Sequence, residues 1–229
     1  MKTSYYLLIA AILITLTGMV TTDVLLKREY EKIDWSNPYQ FFARRPLPAA
    51  KHIVIEGTQS RDILVETGPQ AQALVAPEDS LFFSFRMQHD TLHVSFNPDT
   101  ADHQRPIQTV WNSRLTGLVL RLPAFVSVNG INTRLTIQDR TQPTLDVSLQ
   151  NSVLFANKLT ASPSLRLTET QNSFAILRSG SYKAVEVTVQ DSSEIHLDGT
   201  RIDAFTSTLS DRAEVRLTGQ ANRWVKRNP

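Results

Sequence analysis

The sequence lacks cysteine altogether, contains only 8 glycines in 229 residues, and has no marked excess of one charge. Without cysteine, the chain cannot form disulfides, bind zinc through thiolates, use a catalytic thiol or carry a lipid on a cysteine. Its 24 basic and 22 acidic residues are interspersed and give a formal net charge of +2. Because a nucleic-acid binder concentrates basic residues on one face, we expect no nucleic-acid partner.

One long apolar run is present, close to the N-terminus. Residues 3–22 contain no charged side chain, and a helix of that length spans about 30 Å, the thickness of the hydrocarbon core of a bilayer. Tyr5 and Tyr6 lie where an aromatic belt contacts lipid headgroups. We therefore predict an N-terminal membrane anchor (signal-anchor) helix over residues 1–26, with the lipid bilayer as its partner through residues 3–26.

The alternative is a signal peptide, whose removal would leave a secreted protein. Signal-peptide cleavage needs two small residues separated by one position, but here Leu16 precedes Gly18 and Val20 precedes Thr22. These poor sites favour an uncleaved anchor. Basic residues flank the run on both sides, so their count does not fix its orientation. We expect a single-pass protein of the bacterial cytoplasmic (inner) membrane, with its β domain facing the periplasm or exterior.

Residues 27–49 are predicted to form a stalk and linker. Charges alternate in sign over residues 27–34, as is typical of a solvated helix, and Pro46 and Pro48 prevent a helix from continuing. Four aromatic residues of this segment either cap the first coil of the following domain or rest on the membrane surface, and we favour the cap. They are Trp35, Tyr39, Phe41 and Phe42.

The C-terminal half repeats a unit of about 20 residues. In each copy a polar residue follows a short strand-like stretch, and an apolar residue stands four positions later. The polar residues, at steps of 21, 19 and 20, predict a structural turn ladder of Asn151, Asn172, Asp191 and Asp211. The apolar residues predict a buried core column of Phe155, Ile176, Ile195 and Val215. A fixed period with alternating apolar residues inside it indicates stacked β coils, which form a parallel β-helix.

From these patterns we assign residues 50–222 to an all-β solenoid with rungs of about 20 residues. A hairpin is predicted over residues 81–96, followed by a polar excursion over residues 97–114. Residues 223–229 are a basic C-terminal cap or tail, in which Trp224 covers the last coil, because an open coil end is an unpaired sheet edge. The alternative architecture, an antiparallel β sandwich, leaves the repeat unexplained.

Five stretches carry a resemblance to a known family: residues 53–55, 62–65 with Gly68, 74–75, 90–94 and 118–123, followed by a glycine turn and short repeating strands. Their order resembles the head GIN domain family, bacterial envelope proteins that have been described as adhesins and form right-handed parallel β-solenoids. The resemblance covers roughly residues 50–219 and implies an exported envelope protein of that fold. Gln-Asn-Ser, Gln-Asp-Ser and Ser-Asp-Arg stand where members usually have Ser-Gly-Ser-Gly turns.

Two kinds of chemistry have candidate residues. Asp191 and Asp211, one period apart, could act as paired carboxylates of a carbohydrate-active β-helix enzyme, since retaining glycosidases hold such groups about 5 Å apart. The asparagines at the two equivalent positions cannot act as acids, so a turn ladder is the favoured interpretation. His89 and His93 flank the hairpin turn and His103 follows in the loop, but nothing fixes the three together, so we expect neither a metal nor a cofactor.

The favoured hypothesis is therefore a membrane-anchored, non-enzymatic envelope protein. It would present a rigid β-solenoid surface for binding or scaffolding, in the manner of an adhesin. Its partner would be an unknown envelope protein or a polysaccharide.

Overall fold

The computed structural model describes the backbone of residues 2–98 and 116–224, and the side chains of residues 6–98, 116–161 and 164–221. The chain divides into two compact units, Met1–Phe41 and Phe42–Pro229. Most of the predicted excursion over residues 97–114, including His103, lies outside the described residues. So do residues 225–229 of the predicted tail and the side chain of Trp224.

One helix, α1, covers Lys2–Glu31 in the first unit. Its segment Tyr6–Glu31 is long and apolar enough to cross a membrane and is not buried inside the protein. Four of its hydroxyl groups donate to the carbonyl oxygen four residues earlier: those of Thr15, Thr17, Thr21 and Thr22. A hydroxyl surrounded by lipid has no other acceptor, so this pattern suits a helix in a bilayer. Length and composition fit an anchor and an export signal equally.

The described part of the second unit contains strands β1 to β17 and two short 3-10 helices, over Pro77–Phe82 and Gly219–Trp224. The strands are β1 Ala43–Pro46, β2 His52–Gly57, β3 Asp62–Thr67, β4 Gln72–Val75, β5 Phe83–Gln88, β6 Thr91–Phe96, β7 Thr116–Leu122, β8 Ser127–Ile131, β9 Arg134–Gln138, β10 Thr141–Gln150, β11 Val153–Asn157, β12 Thr160–Thr170, β13 Phe174–Arg178, β14 Ser181–Val189, β15 Glu194–Asp198, β16 Arg201–Leu209 and β17 Glu214–Thr218.

These strands form two sheets. Sheet A has the order β1-β4-β7-β3-β9-β11-β13-β15-β17, and sheet B has the order β16-β14-β12-β10-β8-β2-β6-β5. From β8 onward the chain alternates between the sheets, and each strand pairs in parallel with the equivalent strand of the next coil. This is a parallel β-helix, so the fold predicted from the repeat is confirmed. Antiparallel pairs join β1 to β4, β4 to β7, and β5 to β6, the last pair being the predicted hairpin.

The first coil along the sequence is not at the end of the stack. Strand β2 lies between β6 and β8, and β3 lies between β7 and β9. The chain therefore builds β4 to β7 on one side of this coil and then adds all later coils on its other side. A repeat read in chain order does not contain this information, because it depends on pairing between segments far apart in sequence.

Alternate residues of the coils point inward and stack in apolar files. In sheet A one such file is Leu135, Leu154, Ala175, Ile195 and Val215. The first four of these side chains are at most 1% exposed, and burying one side chain the size of leucine contributes roughly 1.5–3 kcal/mol.

The predicted core column is wrong by one residue at its centre. Phe155 pairs with Ile176, and Ile195 pairs with Val215, but Ile176 pairs with His196 instead of Ile195. Phe155 and Ile176 therefore point away from the core, on the outer face of sheet A. A register shift of one residue moves a side chain to the opposite face of a strand.

The error comes from the length of one turn. Two residues, Asn151 and Ser152, separate β10 from β11, whereas three separate β12 from β13. Asn172 is the second residue of that longer turn. The register of the flanking strands makes Asp191 equivalent to Gln171, the first residue of the same turn. Aligning Asn172 with Asp191 therefore displaced every following strand by one position.

Candidate functional site

The four predicted turn-ladder residues all lie at one corner of the solenoid, where the chain passes from sheet B to sheet A. We call this the first corner. Asn151, Asn172 and Asp191 have positive φ angles of 46°, 60° and 60° there. Among residues other than glycine, Asn and Asp adopt this left-handed conformation most readily. Asp211 occupies the turn of the last coil without a positive φ.

Side chains at the first corner bond from one turn to the next. The Asn151 amide donates to Oδ1 of Asn132 at 2.7 Å. The backbone N–H of Gln171 donates to Oδ2 of Asp191 at 2.8 Å. The Asp191 carboxylate therefore holds two successive turns together, which is the structural role expected of a ladder.

Just inside the first corner runs a file of buried hydroxyl residues that the sequence analysis missed. Thr133, Ser152, Ser173 and Ser193 are at most 1% exposed. In the first three, the backbone N–H donates to the Oγ of the next residue in the file, at 3.0, 3.2 and 3.0 Å. The signal was present in the sequence as a serine that ends three of the turns. In the last coil this position is Ala213, and the file ends there.

A second turn ladder lies at the opposite corner, where the chain returns from sheet A to sheet B. Its residues have φ angles between 47° and 61° and are Asp139, Lys158, Ser179, Gly199 and Gly219. Their side chains have no chemistry in common, so no repeated residue type could indicate this corner.

Asp191 and Asp211 line an open depression of about 700 Å³ on the first corner. It extends over three successive turns, and both carboxylates are exposed. Its other lining residues are polar and include Gln171, Asn172 and Arg212. Within the described ranges, no group of three or more His, Asp, Glu or Cys residues could hold a metal ion. The depression offers amide, carboxylate and guanidinium groups to a polar ligand.

The sequence analysis also missed a buried carboxyl group, that of Glu169. Glu169 occupies an inward position between Leu149 and Val189, is fully buried, and neither of its oxygens has a hydrogen-bond partner among the described residues. Burial, and to a lesser extent the nearby Glu194, raises the pKa of this carboxyl to about 8. The group is therefore mostly protonated at neutral pH. It faces the core, away from any surface that a ligand could reach.

The outward side of strands β10, β12, β14 and β16 forms a surface that we call the polar face. Arg166 lies between two carboxylates there, with Nη1 3.8 Å from Asp146 and Nε donating to Glu186 at 3.2 Å. Beside this file runs one made only of hydroxyl residues, Ser148, Thr168, Thr188 and Thr208. Because neighbouring strands lie about 4.8 Å apart, the same groups recur at a short, regular spacing.

The outer face of sheet A differs, because its aromatic side chains contact other side chains of the same face. The guanidinium of Arg134 lies over the ring of Phe155, 5.7 Å from its centroid, and Phe155 is 7% exposed. The ring of Phe174 meets that of His196 edge-on at 5.1 Å. This face therefore differs from the polar face in carrying aromatic side chains that pack against their neighbours on the same face.

A helix of membrane-spanning length and a parallel β-helix domain define the structural class of this protein. No family model matches the sequence, and no curated protein matches it significantly. The chain is similar in structure to a protein provisionally described as an adhesin from Bacteroides fragilis, with 12% identity, a TM-score of 0.48 and coverage of 78% of this chain and 98% of that one. A second similar structure, also provisionally described as an adhesin, comes from Parabacteroides distasonis and has 12% identity, a TM-score of 0.41 and coverage of 77% and 93%.

A third similar structure is a protein of Parabacteroides distasonis provisionally described as lipid-binding. It has 11% identity, a TM-score of 0.35 and coverage of 77% of this chain and 94% of that one. None of these matches names the head GIN family. Identities this low and TM-scores below 0.5 leave function to be argued from the residues themselves.

Proposed function

We propose that this protein is a membrane-tethered, non-enzymatic envelope protein whose solenoid presents a rigid surface for binding or scaffolding, in the manner of an adhesin. The observation that carries the proposal is the polar face. Its strands are held in continuous parallel ladders, so the backbone positions that carry its side chains are fixed relative to one another. A surface of this kind loses little conformational entropy when it binds a partner, because its backbone is already ordered.

The tether rests on α1. Its apolar side chains are exposed along its length, for example Leu7 at 72% and Leu16 at 53%. Exposed apolar surface of this extent is stable only against lipid or protein. The resemblance of strand order to the head GIN domain family adds an envelope location to the proposal. In this arrangement the solenoid lies outside the cytoplasmic membrane and its partner is an envelope protein or a polysaccharide.

Anchoring and sidedness can be tested together on the full-length protein. An uncleaved anchor keeps the protein in the membrane during alkaline extraction, whereas a secreted product is released. Because the chain has no cysteine, a single Thr188→Cys substitution provides a unique label on the polar face. A maleimide that cannot cross membranes should label this position from outside the cytoplasmic membrane. Labelling only after the membrane is disrupted would contradict the proposal.

The binding surface can be tested with a photo-crosslinking amino acid placed at Thr188 of the polar face. The control position is Gln138 on the outer face of sheet A, which is exposed, whereas Thr188 is half-buried. We expect a discrete crosslinked product from Thr188 in native membranes and none from Gln138. Products from neither position, in cells where the protein is correctly anchored, would count against the polar face as the binding surface.

A second candidate function is hydrolysis of a polysaccharide by Asp191 and Asp211. The observation in its favour is that both carboxylates line the same open depression. The hydrogen bond from Gln171 to Asp191 favours the structural role instead. If Asp191→Asn and Asp211→Asn variants turn over cell-wall or plant polysaccharides as well as the unaltered protein does, the catalytic hypothesis fails.

A further inference from the structure

We propose that Tyr30, Trp35 and Phe41 form an aromatic collar that lies in the lipid headgroup layer and fixes the depth of α1 in the bilayer. This inference rests on the proposed membrane tether and goes beyond it, because it assigns lipid contact to Tyr30 in the last turn of α1 and to Trp35 and Phe41 beyond the helix. The collar belongs entirely to the first unit, Met1–Phe41.

The first argument is exposure. Tyr30, Trp35 and Phe41 are 61%, 70% and 69% exposed. For Trp35 and Phe41 this exposure favours the alternative stated from the sequence, contact with the membrane surface. Three large aromatic side chains exposed within twelve residues would be unfavourable in water. Tyrosine and tryptophan are instead enriched where a membrane meets water, because their rings are apolar at one end and polar at the other.

The second argument is that the segment carrying these rings has a defined fold. The backbone N–H of Asp34 donates to Oε1 of Gln40 at 2.7 Å, which closes a loop with Trp35 just inside one end and Phe41 just beyond the other. Within the loop, the Ser36 backbone N–H donates to Oδ1 of Asp34 at 3.0 Å. Hydrogen bonds from Ser36 also lower the pKa of Asp34, so this carboxylate stays ionised.

The Tyr30 and Trp35 rings then meet, with their centroids 5.3 Å apart. Trp35 is thereby held level with the end of the helix. Several polar groups of the loop bond to one another while Trp35 and Phe41 remain exposed, so the exposure is a feature of an ordered segment.

The third argument is distance along the helix. Tyr6, which is 71% exposed, and Tyr30 are separated by 24 positions, or about 36 Å at 1.5 Å per residue. That length exceeds the hydrocarbon core of about 30 Å and is less than the full bilayer of about 40–45 Å. Each ring can therefore lie in a different interfacial layer at the same time. Moving α1 along the bilayer normal would take one of the two rings out of its layer.

The fourth argument separates this contact from an electrostatic one. From residue 23 to residue 41 the chain has three basic and four acidic residues. Two of the lysines lie beside glutamates, with Lys27 3.9 Å from Glu31 and Lys32 2.5 Å from Glu29. The segment has no basic excess to attract anionic lipids, so its contact with the membrane should depend little on salt or on lipid charge.

The test uses the full-length protein in phosphatidylcholine vesicles, with Trp111 and Trp224 replaced by phenylalanine so that Trp35 is the only tryptophan. Phospholipids brominated at different depths quench a nearby indole. We expect lipid brominated close to the headgroup to quench Trp35 more strongly than lipid brominated close to the chain end. Adding salt should leave this difference unchanged.

A matched control combines Trp35→Phe with Leu16→Trp, which moves the indole to the middle of α1. Its order of quenching should be reversed. Where the multiple variant does not fold, the loss of quenching caused by Trp35→Phe alone in the otherwise unaltered protein gives the same information.

Trp35 emission that is unaffected by any brominated lipid, in protein that withstands alkaline extraction, would overturn the collar and leave the tether intact. Protein released by alkaline extraction would overturn the tether and the collar with it.

Discussion

The coils from β8 to β17 repeat similar polar contacts from rung to rung, whereas the junction with strands β1 to β7 adds to its parallel ladders, β2 with β8 and β3 with β9, a few charged side-chain contacts that occur once. In the coils, three successive turns carry the same kind of hydrogen bond at the first corner, and most inward positions are apolar, Glu169 being an exception. At the junction with the irregular strands, the charged side-chain contacts occur once only. One of them is the ion pair between Arg134 and Asp62, whose closest atoms are 2.5 Å apart.

The second single contact is made by Arg140, which is 1% exposed. Its guanidinium donates to the carbonyl oxygens of Leu122 and Pro123 at 3.3 and 3.2 Å and to Oε1 of Gln142 at 2.7 Å. It also lies over the ring of Phe125, 4.1 Å from the centroid. Burial lowers the pKa of Arg140 to about 10, so the side chain remains charged at neutral pH.

The coils and the junction therefore differ in how their stabilising polar contacts are distributed. Repetition spreads the stabilising free energy over many similar contacts, so that the loss of one polar contact in the coils is tolerated. At the junction, the charged contacts are made by single side chains, Arg134 and Arg140, that have no duplicate. We therefore expect the replacement of a polar residue to lower the free energy of unfolding more at the junction than in the coils. Substitutions in the apolar files should be destabilising in both regions.

The largest effect should come from placing a charge in an apolar file. Leu154→Asp would bury an unpaired carboxylate and should reduce the free energy of unfolding by more than about 4 kcal/mol, as measured by urea denaturation. The matched change on the outer face, Ile176→Asp, should cost roughly 1 kcal/mol. Equal costs, or the reverse order, would show that the register of these coils is wrong.

Arg140→Met should have the next largest effect. It retains an apolar stem of similar length but leaves the carbonyls of Leu122 and Pro123 without their buried donor, which should cost roughly 4 kcal/mol. The same measurement on Arg178→Met, a more exposed arginine of the coils, should show less than about 1 kcal/mol. If the two variants lose equal stability, the contrast between junction and coils does not hold.

Glu169→Leu should stabilise the protein, because it replaces an unpartnered carboxyl between Leu149 and Val189 with an apolar side chain. The pKa of Glu169 is raised from its ordinary value of 4.5 to about 8 in the folded protein, so ionisation opposes folding. Its unfavourable effect is absent below about pH 4.5 and grows as the pH rises to about 8. The gain at pH 7 should be roughly 3 kcal/mol, since pH 7 lies about 2.5 units above the unfolded pKa.

The pH dependence provides the check on this variant. The difference in melting temperature between Glu169→Leu and the unaltered protein should increase from pH 5 to pH 8, a range that follows from the two pKa values. A constant difference over this range would mean that Glu169 does not titrate in the folded state.

The sequence predicted the parallel coils because every coil obeys the same constraint, and a fixed period is its direct consequence. It did not predict the length of each turn, and one extra residue before Phe174 was enough to misplace Ile176. It also gave no sign that β2 and β3 lie inside the stack, because their neighbours are set by long-range pairing. Among the site residues, the depression at Asp191 and Asp211 follows from the repeat, whereas the collar around Trp35 depends on loop hydrogen bonds that have no sequence pattern.

The smallest effect should come from the buried hydroxyl file. Ser173→Ala removes the acceptor for the backbone N–H of Ser152 and should cost about 1 kcal/mol. Ser148→Ala, on the polar face, should cost less than about 0.5 kcal/mol, since its hydroxyl is in contact with water. The last coil already has Ala213 in the same file, so the loss of one hydroxyl is compatible with the fold. If Ser173→Ala proved as damaging as Arg140→Met, the polar contacts of the coils would also be concentrated in single residues, and the contrast between the two regions would be lost.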